Sequence, residues 1–526
     1  MHVFGVLFVS LAIAVGASAK PQQVDVVIVG AGAAGMAAAS ALLRESDLTL
    51  AVLEARAYTG GRVHARAFGA KRDIVIEEAA NWVHGEPPPG GSGRMANPAW
   101  ALAQRAHLAT VRIPGSCANT SGYALFDANG HEVSGLEGKA QRRADAAFNC
   151  VNATAFRMPK GHDITFAQGL AQCGFKAPPV GSVEDALYWE ITAANYPMKI
   201  DVCSLKWSLP DPTYEYFGPD DHFVHDQRPR GYASALDELF SSSSSSSSDN
   251  ATSKASPWPD NTLHLGAVVR SIEETTTCDS DGKKKMLVQT ADGRAFCASH
   301  VISSLPLGVM QHDQARIFSS PALSKPQVAG LDAFTMGNFS KIFVQFKTRF
   351  WATRGTQWLI ANDVHEGGGL RGPMEFHDLG ALIEGANTLF TYVAGDDTGP
   401  WSRMTDAEAS AALVKRLQGH FPDVDVGEPT AFYMTRHAAD PYMRGAYSVV
   451  KLGVSMDQFN DMLKPHADGK VFWAGEHTCA AFQGYVHGGL YSGWRGAAQV
   501  LLARGDEAAA RRVYDWSCEK CARPAI

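Results

Sequence analysis

The chain has 526 residues, a formal net charge of −7 and nine cysteines. Its length predicts roughly two to four compact units. The hydrophobic fraction of 45% and charged fraction of 19% are typical of a globular protein and exclude a disordered one. The negative charge balance argues against a nucleic-acid-binding surface, which needs clustered lysine and arginine.

The first predicted segment is an apolar run that ends in small residues at Ala17-Ser-Ala19. It predicts a signal peptide over residues 1–19, cleaved before Lys20, and therefore secretion. The alternative is a membrane anchor, but the run is shorter than the ~20 residues of a spanning helix, so we expect no stable membrane insertion. Asn-x-Ser/Thr sequons also favour an extracellular glycoprotein; they lie at Asn119, Asn152, Asn250 and Asn338.

A βαβ unit is predicted next, with a buried strand over residues 24–29, a helix that ends near Leu43, and a strand over 48–53. Between the first strand and the helix lies Gly30-Ala-Gly32-Ala-Ala-Gly35. Glycines at this spacing permit a tight turn, admit a pyrophosphate and let the helix approach the strand. Glu54 at the end of the second strand would bind a ribose. This pattern predicts a dinucleotide site, and an ordinary glycine-rich turn is the alternative.

Cysteines and a serine run mark the middle and the end of the chain. Cys278 and Cys297 flank a predicted hairpin and are candidates for a disulfide, as are Cys117 and Cys150. The Cys518/Cys521 pair predicts a structural disulfide or a frayed tail rather than a zinc site, because no second ligand pair accompanies it. Residues 241–257 are expected to form a solvated serine-rich loop insertion, and residues 511–526 a peripheral tail.

Two segments of the second half carry candidate site residues. On a predicted strand over 338–346, the alternation of side chains places Phe339, Lys341 and Phe343 on one face. A buried strand over 470–474 leads into Gly475-Glu476, and a helix rich in small residues follows over 488–503. Taken alone, Lys341 would be a side chain that extends to solvent at a sheet edge.

The motifs together resemble those of the flavin-containing amine oxidases, in particular the polyamine oxidase branch. The resemblance rests on Gly60-Gly61-Arg62 and on four further segments, at 80–85 (Ala-Asn-Trp-Val-His-Gly), 304–309 (Ser-Leu-Pro-Leu-Gly-Val), 338–343 (Asn-Phe-Ser-Lys-Ile-Phe) and 474–478 (Ala-Gly-Glu-His-Thr). It implies a mixed α/β fold with an FAD-binding Rossmann-like domain over 24–110, 225–310 and 450–510. It also implies an interleaved substrate-binding domain over 111–224 and 311–449, built on a mixed or antiparallel sheet flanked by helices.

The resemblance implies FAD as the cofactor, with Glu476 on its ribityl and pyrophosphate side and the helix after Gly488 pointing at the flavin. Related monoamine oxidases tether the flavin to a cysteine where this chain has Ala446, so noncovalent binding is expected. The residues expected to contact FAD are Gly30, Gly32, Ala34, Gly35, Glu54, Ala55, Arg56, Gly61, Arg62, Val268, Gly475, Glu476, Tyr485 and Val486.

The resemblance also assigns the amine site. Lys341 is expected to hold a water near flavin N5 and to assist reoxidation by oxygen, while His84 stays neutral beside the substrate nitrogen. Tyr447 and Tyr485, if each is considered without the resemblance, would be interpreted as core aromatics. The residues expected in catalysis are Lys341, His84, Tyr485 and Tyr447, and those expected to bind substrate are Trp82, His84, Glu190, Phe339, Tyr447 and Tyr485.

The expected reaction is oxidation of a polyamine next to an amine nitrogen, which gives an aminoaldehyde, a shorter amine and hydrogen peroxide. The partners expected are the polyamine and O₂, without nucleic acid or metal, and the chain is expected to be a monomer or a weak dimer. One alternative is an L-amino-acid oxidase, which needs an arginine for the substrate carboxylate, and no arginine here is diagnostic. Another is a flavin-binding protein without turnover.

Overall fold

The computed structural model describes residues 20–87, 97–113, 123–133, 137–194, 196, 198–209, 212–241, 258–278, 282–361 and 372–514. The expected signal peptide, residues 242–257 of the serine-rich segment and residues 515–526 of the tail lie outside the described residues. Cys117, Cys518, Cys521 and the sequons at Asn119 and Asn250 also lie outside them.

Twenty strands and fifteen α-helices are found in the described part of the chain, together with a π-helical turn at Glu190–Ala194. The strands are β1 Gln22–Val29, β2 Leu50–Leu53, β3 Ala65–Phe68, β4 Ile74–Glu77, β5 Trp82–Glu86, β6 Thr110–Ile113, β7 Ala124–Phe126, β8 Asp220–Val224, β9 Leu263–His264, β10 Val269–Thr275, β11 Lys285–Thr290, β12 Ala295–Ser303, β13 Phe334–Met336, β14 Phe339–Gln345, β15 Gln357–Ile360, β16 Met374–Asp378, β17 Thr388–Ala394, β18 Ala431–Met434, β19 Ser448–Val450 and β20 Val471–Trp473. The helices are α1 Ala33–Glu45, α2 Pro98–Arg105, α3 Glu137–Arg157, α4 Phe166–Gln172, α5 Val183–Trp189, α6 Leu205–Ser208, α7 Pro212–Tyr216, α8 Ala233–Asp237, α9 Leu307–Ile317, α10 Lys325–Asp332, α11 Thr398–Ser402, α12 Asp406–His420, α13 Met456–Leu463, α14 Val486–Ala503 and α15 Glu507–Tyr514.

A seven-stranded sheet contains the predicted βαβ unit. Its order is β10-β11-β12-β1-β2-β9, with β20 paired to β12. The central strand β1 is parallel to both β12 and β2. Val26, Val27 and Ile28 on β1 are fully buried, because a parallel strand covered on both faces needs apolar side chains throughout. The expected Rossmann-like arrangement is therefore present.

Helices α1 and α14 pack closely because both are rich in small residues. A Cβ at Gly493 of α14 would lie 2.1 Å from the Ala34 carbonyl oxygen of α1. Glycine there lets the two backbones touch, and this contact brings the N-terminus of α14 beside the glycine turn that precedes α1. The helix predicted over 488–503 is thus confirmed, starting two residues earlier.

The second large sheet has six strands in the order β18-β14-β17-β16-β15-β7. Strand β14 is antiparallel to β17 and β18, whereas β15 and β7 are parallel, so the sheet is mixed as expected. In this register Lys341 on β14 lies opposite Tyr392 on β17. The mixed α/β fold class predicted from the sequence is confirmed.

Two disulfides connect described residues. Cys278 pairs with Cys297, as predicted. Cys150 pairs with Cys173, so the suggested Cys117–Cys150 bond is wrong. The reason is helix packing, since Cys150 lies in α3 and Cys173 directly follows α4, which packs against α3. Within the described ranges, no helix combines the length and apolarity that crossing a bilayer requires.

Candidate active site

A cavity of about 1460 Å³ is lined by residues from both large sheets. Every predicted site residue lines it except Gly35. The sequence motifs, which are hundreds of residues apart, therefore converge on one space. Cavities of this kind, mostly apolar with a few polar groups, are typical of cofactor and substrate sites.

The glycine turn forms a cradle of bare backbone on the cavity wall. Gly30 has φ +98°, a conformation that favours glycine. Gly35 faces inward instead, and a Cβ there would lie 1.9 Å from the Gly30 carbonyl oxygen. Gly35 thus permits the approach of helix to turn, while Gly32 and Gly61 present their backbones to the cavity, with a Cβ at Gly61 only 3.1 Å from the Gly32 Cα.

Glu54 ties the end of β2 to the glycine turn. Its carboxylate accepts hydrogen bonds from the backbone amides of Ala31 at 2.8 Å and Arg56 at 2.9 Å. Burial raises the pKa of Glu54, and these two amides oppose that rise. The side chain lies on the cavity wall beside Ala55 and Arg56, which is the place expected for a ribose-binding acid.

Glu476 joins three separate segments of the chain. Its carboxylate pairs with Arg62 at 2.9 Å and accepts hydrogen bonds from the Ser448 hydroxyl at 2.5 Å and the Gly484 amide at 2.8 Å. Burial alone would raise the pKa of Glu476, but Arg62 and His477 hold it below its usual range. The result is a buried, ionised network that fixes Arg62 at the cavity wall.

Lys341 projects from β14 into the cavity wall and is almost fully buried. Its ammonium donates to Asn81 Oδ1 at 2.5 Å, to the Glu77 carbonyl oxygen at 3.3 Å and to the Ala79 carbonyl oxygen. The nitrogen also lies 5.1 Å from the centre of the Phe390 ring. Burial lowers the pKa of Lys341 to about 7, although the nearby Glu77 opposes this. An amine with that pKa can give or take a proton near neutral pH, which a lysine extending into solvent would not do.

His84 on β5 is oriented by two residues that the sequence did not single out. Its Nδ1 lies 3.1 Å from a carboxylate oxygen of Asp221 and 3.3 Å from the Tyr214 hydroxyl. Its ring meets the Tyr485 ring edge-on, with centroids 4.9 Å apart. A proton on Nδ1, donated to Asp221, leaves Nε2 as an acceptor for a substrate nitrogen.

Aromatic rings connect the glycine cradle to the far wall of the cavity. A Cβ at Gly484 would lie 3.2 Å from Cδ2 of the Tyr447 ring. The Phe339 ring lies 6.5 Å from the Tyr447 ring and stacks on the Tyr392 ring at 4.8 Å. Tyr447, Tyr485, Phe339 and Trp82 all line the space. Such rings can attract a cation through their π faces.

A buried acidic cluster is defined here as Glu190, Glu375, His377, Tyr392 and Tyr123. All of these residues except Tyr123 line the cavity. Glu375 pairs with His377 Nε2 at 2.6 Å and accepts hydrogen bonds from Tyr123 at 2.7 Å and from Tyr392. Tyr392 also bonds Glu190 at 3.2 Å. Burial and the neighbouring Glu375 raise the pKa of Glu190 well above its usual range. Burial also works against ionisation of Glu375, but His377, Tyr392 and Tyr123 hold its pKa below the usual range.

Sequence reasoning missed most of this cluster as well as Asp221 and Tyr214. The signal for Glu375 and His377 was present, since Glu-x-His on a strand places both polar groups on one face. Tyr392 follows from the pairing of β17 with β14, which the sequence does not reveal. Asp221 and Tyr214 carried no signal that we recognise.

The family of this chain follows from its match to known proteins. The model of the flavin containing amine oxidoreductase family matches residues 33–183 and 251–501. The chain belongs to this family. Among curated relatives it is 28% identical to polyamine oxidase 6 of Oryza sativa subsp. japonica, over 95% of each chain. It is 28% identical to polyamine oxidase 1 of Zea mays, over 91% of this chain and 90% of the relative.

Other relatives broaden the family context. The chain is 25% identical to lysine-specific histone demethylase 1 homolog 2 of Oryza sativa subsp. japonica, over 92% of this chain and 58% of that protein. A solved structure of wild-type putrescine oxidase bound to putrescine matches with a TM-score of 0.65 and 18% identity, over 92% of this chain and 100% of that one. The latter likeness concerns the fold.

A flavin is the cofactor of this amine oxidoreductase family, and the cavity fits one. The cradle at Gly32 and Gly61 presents backbone where any larger residue would fill the space. Arg62 supplies a fixed positive charge, and α14 begins at the cavity with its N-cap residue Tyr485 making no side-chain hydrogen bond to the first turn. A helix start and an arginine beside bare glycine backbone suit a bound phosphate group.

Proposed function

We propose that this family member is a polyamine oxidase that uses noncovalently bound FAD and O₂. It would convert a polyamine, such as spermine, spermidine or an N-acetyl derivative, to an aminoaldehyde, a shorter amine and hydrogen peroxide. The observation that carries the proposal is the shared cavity, which has a glycine cradle in one part of its wall and the acidic cluster with aromatic rings in another.

The acidic cluster suits a substrate with more than one ammonium group. The surroundings lower the pKa of Glu375 and so favour its ionised form, and they raise the pKa of Glu190 beside it and so favour its protonated form. An ammonium group that reaches Glu190 can replace the carboxyl proton, which then leaves to solvent, so the ammonium is buried as an ion pair and the net charge of the site does not change. The polyamine oxidase relatives support the same substrate class.

A flavin held by the cradle at Gly32 and Gly61 and by Arg62 would supply the redox chemistry, as the acceptor of a hydride from the carbon beside the amine nitrogen. The residues of the chain position and deprotonate the substrate. His84 Nε2 can accept a hydrogen bond from the reacting amine, and the uncharged nitrogen is the form that hydride loss requires. The rings of Tyr447 and Tyr485 confine the alkyl chain and exclude bulk water. Lys341 can hold a water and exchange a proton at Nζ during reoxidation.

Noncovalent binding is supported by Ala446, which lines the cavity and has no nucleophilic atom. Acid precipitation of the purified protein should therefore release the yellow chromophore into the supernatant as intact FAD. Chromophore that stays in the pellet would contradict this part of the proposal. Secretion remains a proposal from the segment 1–19 and the sequons, as does the monomeric or weakly dimeric state.

An L-amino-acid oxidase is the main competing function. Its active site needs a cation to pair with the substrate carboxylate. The wall near Phe339 and Tyr392 instead offers the two carboxyl groups of the acidic cluster. A peroxide assay with spermine, spermidine, N-acetylspermine and L-phenylalanine decides between them. We expect peroxide with the polyamines and none with phenylalanine, and identification of the aldehyde product would reveal which carbon is oxidised. Bound flavin that no amine bleaches would favour a binding protein without turnover.

A further inference from the structure

A second, much smaller cavity lies behind Lys341. Its volume is about 20 Å³, and it is lined by apolar rings such as Phe223, Phe343 and Phe390 together with Glu77, Asn81, His225 and Lys341. A volume of roughly 10–15 Å³ is enough for one water, provided that two or more polar groups face it. The small cavity therefore has room for one water and not for a substrate.

Two polar atoms at this small cavity lack a hydrogen-bond partner within the described part of the chain. They are Oε2 of Glu77 and Nδ2 of Asn81, and both side chains are more than nine-tenths buried. One is an acceptor when ionised and the other is a donor, so a single water between them satisfies both. Leaving both without a partner would be costly, since an unsatisfied buried polar group costs about 1–3 kcal/mol.

The other atoms of these two side chains are already held. Oε1 of Glu77 accepts the backbone amide of Tyr232 at 2.7 Å, and Oδ1 of Asn81 accepts the Lys341 ammonium at 2.5 Å. The longest of the three Lys341 hydrogen bonds, 3.3 Å to the Glu77 carbonyl oxygen, is the one that a water in the small cavity can replace. One water thus completes a chain of hydrogen bonds that connects Glu77, Asn81 and Lys341.

We propose that a water in the small cavity bridges Glu77 Oε2, Asn81 Nδ2 and Lys341 Nζ, and that Glu77 is a positioning residue which sets the charge of Lys341. In one state Glu77 is a carboxylate and Lys341 an ammonium. In the other, Nζ has given a proton to the water and the water has given one to Oε2, which leaves a neutral amine and a neutral carboxyl. No other bond changes.

The electrostatic surroundings bring these two states close in free energy. Burial raises the pKa of Glu77 to about 8; the Tyr232 amide and Lys341 oppose this rise, and Asp226 and Glu78 add to it. Burial lowers the pKa of Lys341 to about 7, and Glu77 opposes that fall.

Further titratable neighbours of the pair are His225 on the wall of the small cavity, His437 beside Lys341 and the Tyr232 hydroxyl beside Glu77. Burial lowers the pKa of His437 to about 4 and raises the pKa of Tyr232 above its usual range. Both are therefore uncharged near neutral pH, and one proton can be shared between Glu77 and Lys341 there.

The first test uses the purified flavoprotein and needs no amine substrate. Thermal midpoints of the unaltered protein, Glu77→Gln, Lys341→Met and the double variant are measured from pH 6 to 9. We expect the two losses to be non-additive near pH 7.5, because each single variant leaves a partner alone in the buried site. Additive losses at every pH would overturn the coupling. Glu384→Gln, which changes an exposed carboxyl, is the control. Its effect on the thermal midpoint should be additive with the effect of Lys341→Met.

The second test concerns Lys341 directly and rests on its proposed role in reoxidation. The flavin is reduced with dithionite, and its oxygen reaction is followed by stopped-flow absorbance across pH. Glu77→Gln removes the charge that favours the ammonium, so the midpoint of the profile should fall by about one pH unit. An unchanged midpoint would overturn the inference. If Lys341→Met leaves the profile untouched, the role of Lys341 fails while the stability cycle still tests the coupling.

A crystal structure of the unaltered protein provides a test that does not depend on variants folding. Electron density for one water within hydrogen-bonding distance of Glu77 Oε2 and Asn81 Nδ2 is expected. A dry cavity at a resolution that shows other buried waters would refute the bridge.

Discussion

The glycine region of the large cavity and its acidic region are built in different ways. The glycine region, with Gly32, Gly61 and Glu476, presents backbone and one ion pair from three segments that each carry a recognisable motif. The acidic region consists of the acidic cluster, whose side chains come from elements without any motif. The shape of the glycine region depends on glycines, which have no side chain. The charge of the acidic region depends on the hydrogen-bond and ion-pair partners of its carboxyl groups. Substitutions in the two regions should therefore have different effects on the protein.

The strongest test of this difference is Gly35→Ala. The new Cβ would lie 1.9 Å from the Gly30 carbonyl oxygen, and backbone cannot move aside without opening the glycine turn. Overpacking of about 1–3 kcal/mol should weaken flavin binding by up to about 100-fold. The ratio of absorbance at the flavin band to that at 280 nm measures the loss. Gly419→Ala, where a Cβ meets nothing within 4 Å, should remain yellow.

Lys341 lines the cavity but belongs to neither region, and we expect Lys341→Met to affect one half of the reaction. Methionine keeps much of the length and apolar volume but removes the buried amine that can exchange a proton. We expect reoxidation of reduced flavin by oxygen to slow by about 100-fold, with much smaller change in reduction by amine. Stopped-flow measurement of each half-reaction separates them. Unchanged oxygen kinetics would remove Lys341 from the reoxidation step.

The position of the glycine region could be predicted from the sequence because its signal is local. The run from Gly30 to Gly35, Glu54 and the Gly475-Glu476 pair each lie at the end of a strand, and all but Ala31 and Gly35 line the cavity. Gly35 acts instead through the contact with Gly30 that its spacing implies. The fold class followed from the same strands.

The acidic region could not be predicted to the same degree because its partners meet only through sheet register. Glu190 was expected as a substrate-binding residue, and nothing in the sequence joined it to Glu375. That contact depends on the packing of the π-helical turn Glu190–Ala194 against β17, which lies beside β16. The Cys150–Cys173 disulfide was missed for a similar reason, since it depends on helix packing rather than on distance along the chain.

Glu375→Gln and Glu190→Gln probe the acidic region. Each removes an ionisable carboxyl while keeping its shape, so we expect KM for spermine to rise about 10-fold. A monoamine of similar length, which has no second ammonium, should be much less affected. Steady-state kinetics with both substrates give this ratio, and flavin content should stay normal. Glu384→Gln is the matched control, and an equal rise for both substrates would argue against a distal cation site.

The smallest effect is expected outside both regions, at His300 on β12. Burial, with Arg504 and Lys470, lowers the pKa of His300 to about 4 from its usual 6.5. The unfolded chain therefore binds more protons than the folded one between these two values, so stability is complete above about pH 6.5 and falls as the pH drops towards 4. His300→Gln should make the thermal midpoint less dependent on pH across this window and should leave the ratio of the KM values for spermine and the monoamine unchanged. His312→Gln, at an exposed histidine, should leave the pH dependence of the thermal midpoint unchanged. A His300 variant with altered substrate preference would show that substitutions in the seven-stranded sheet also affect the acidic region of the cavity.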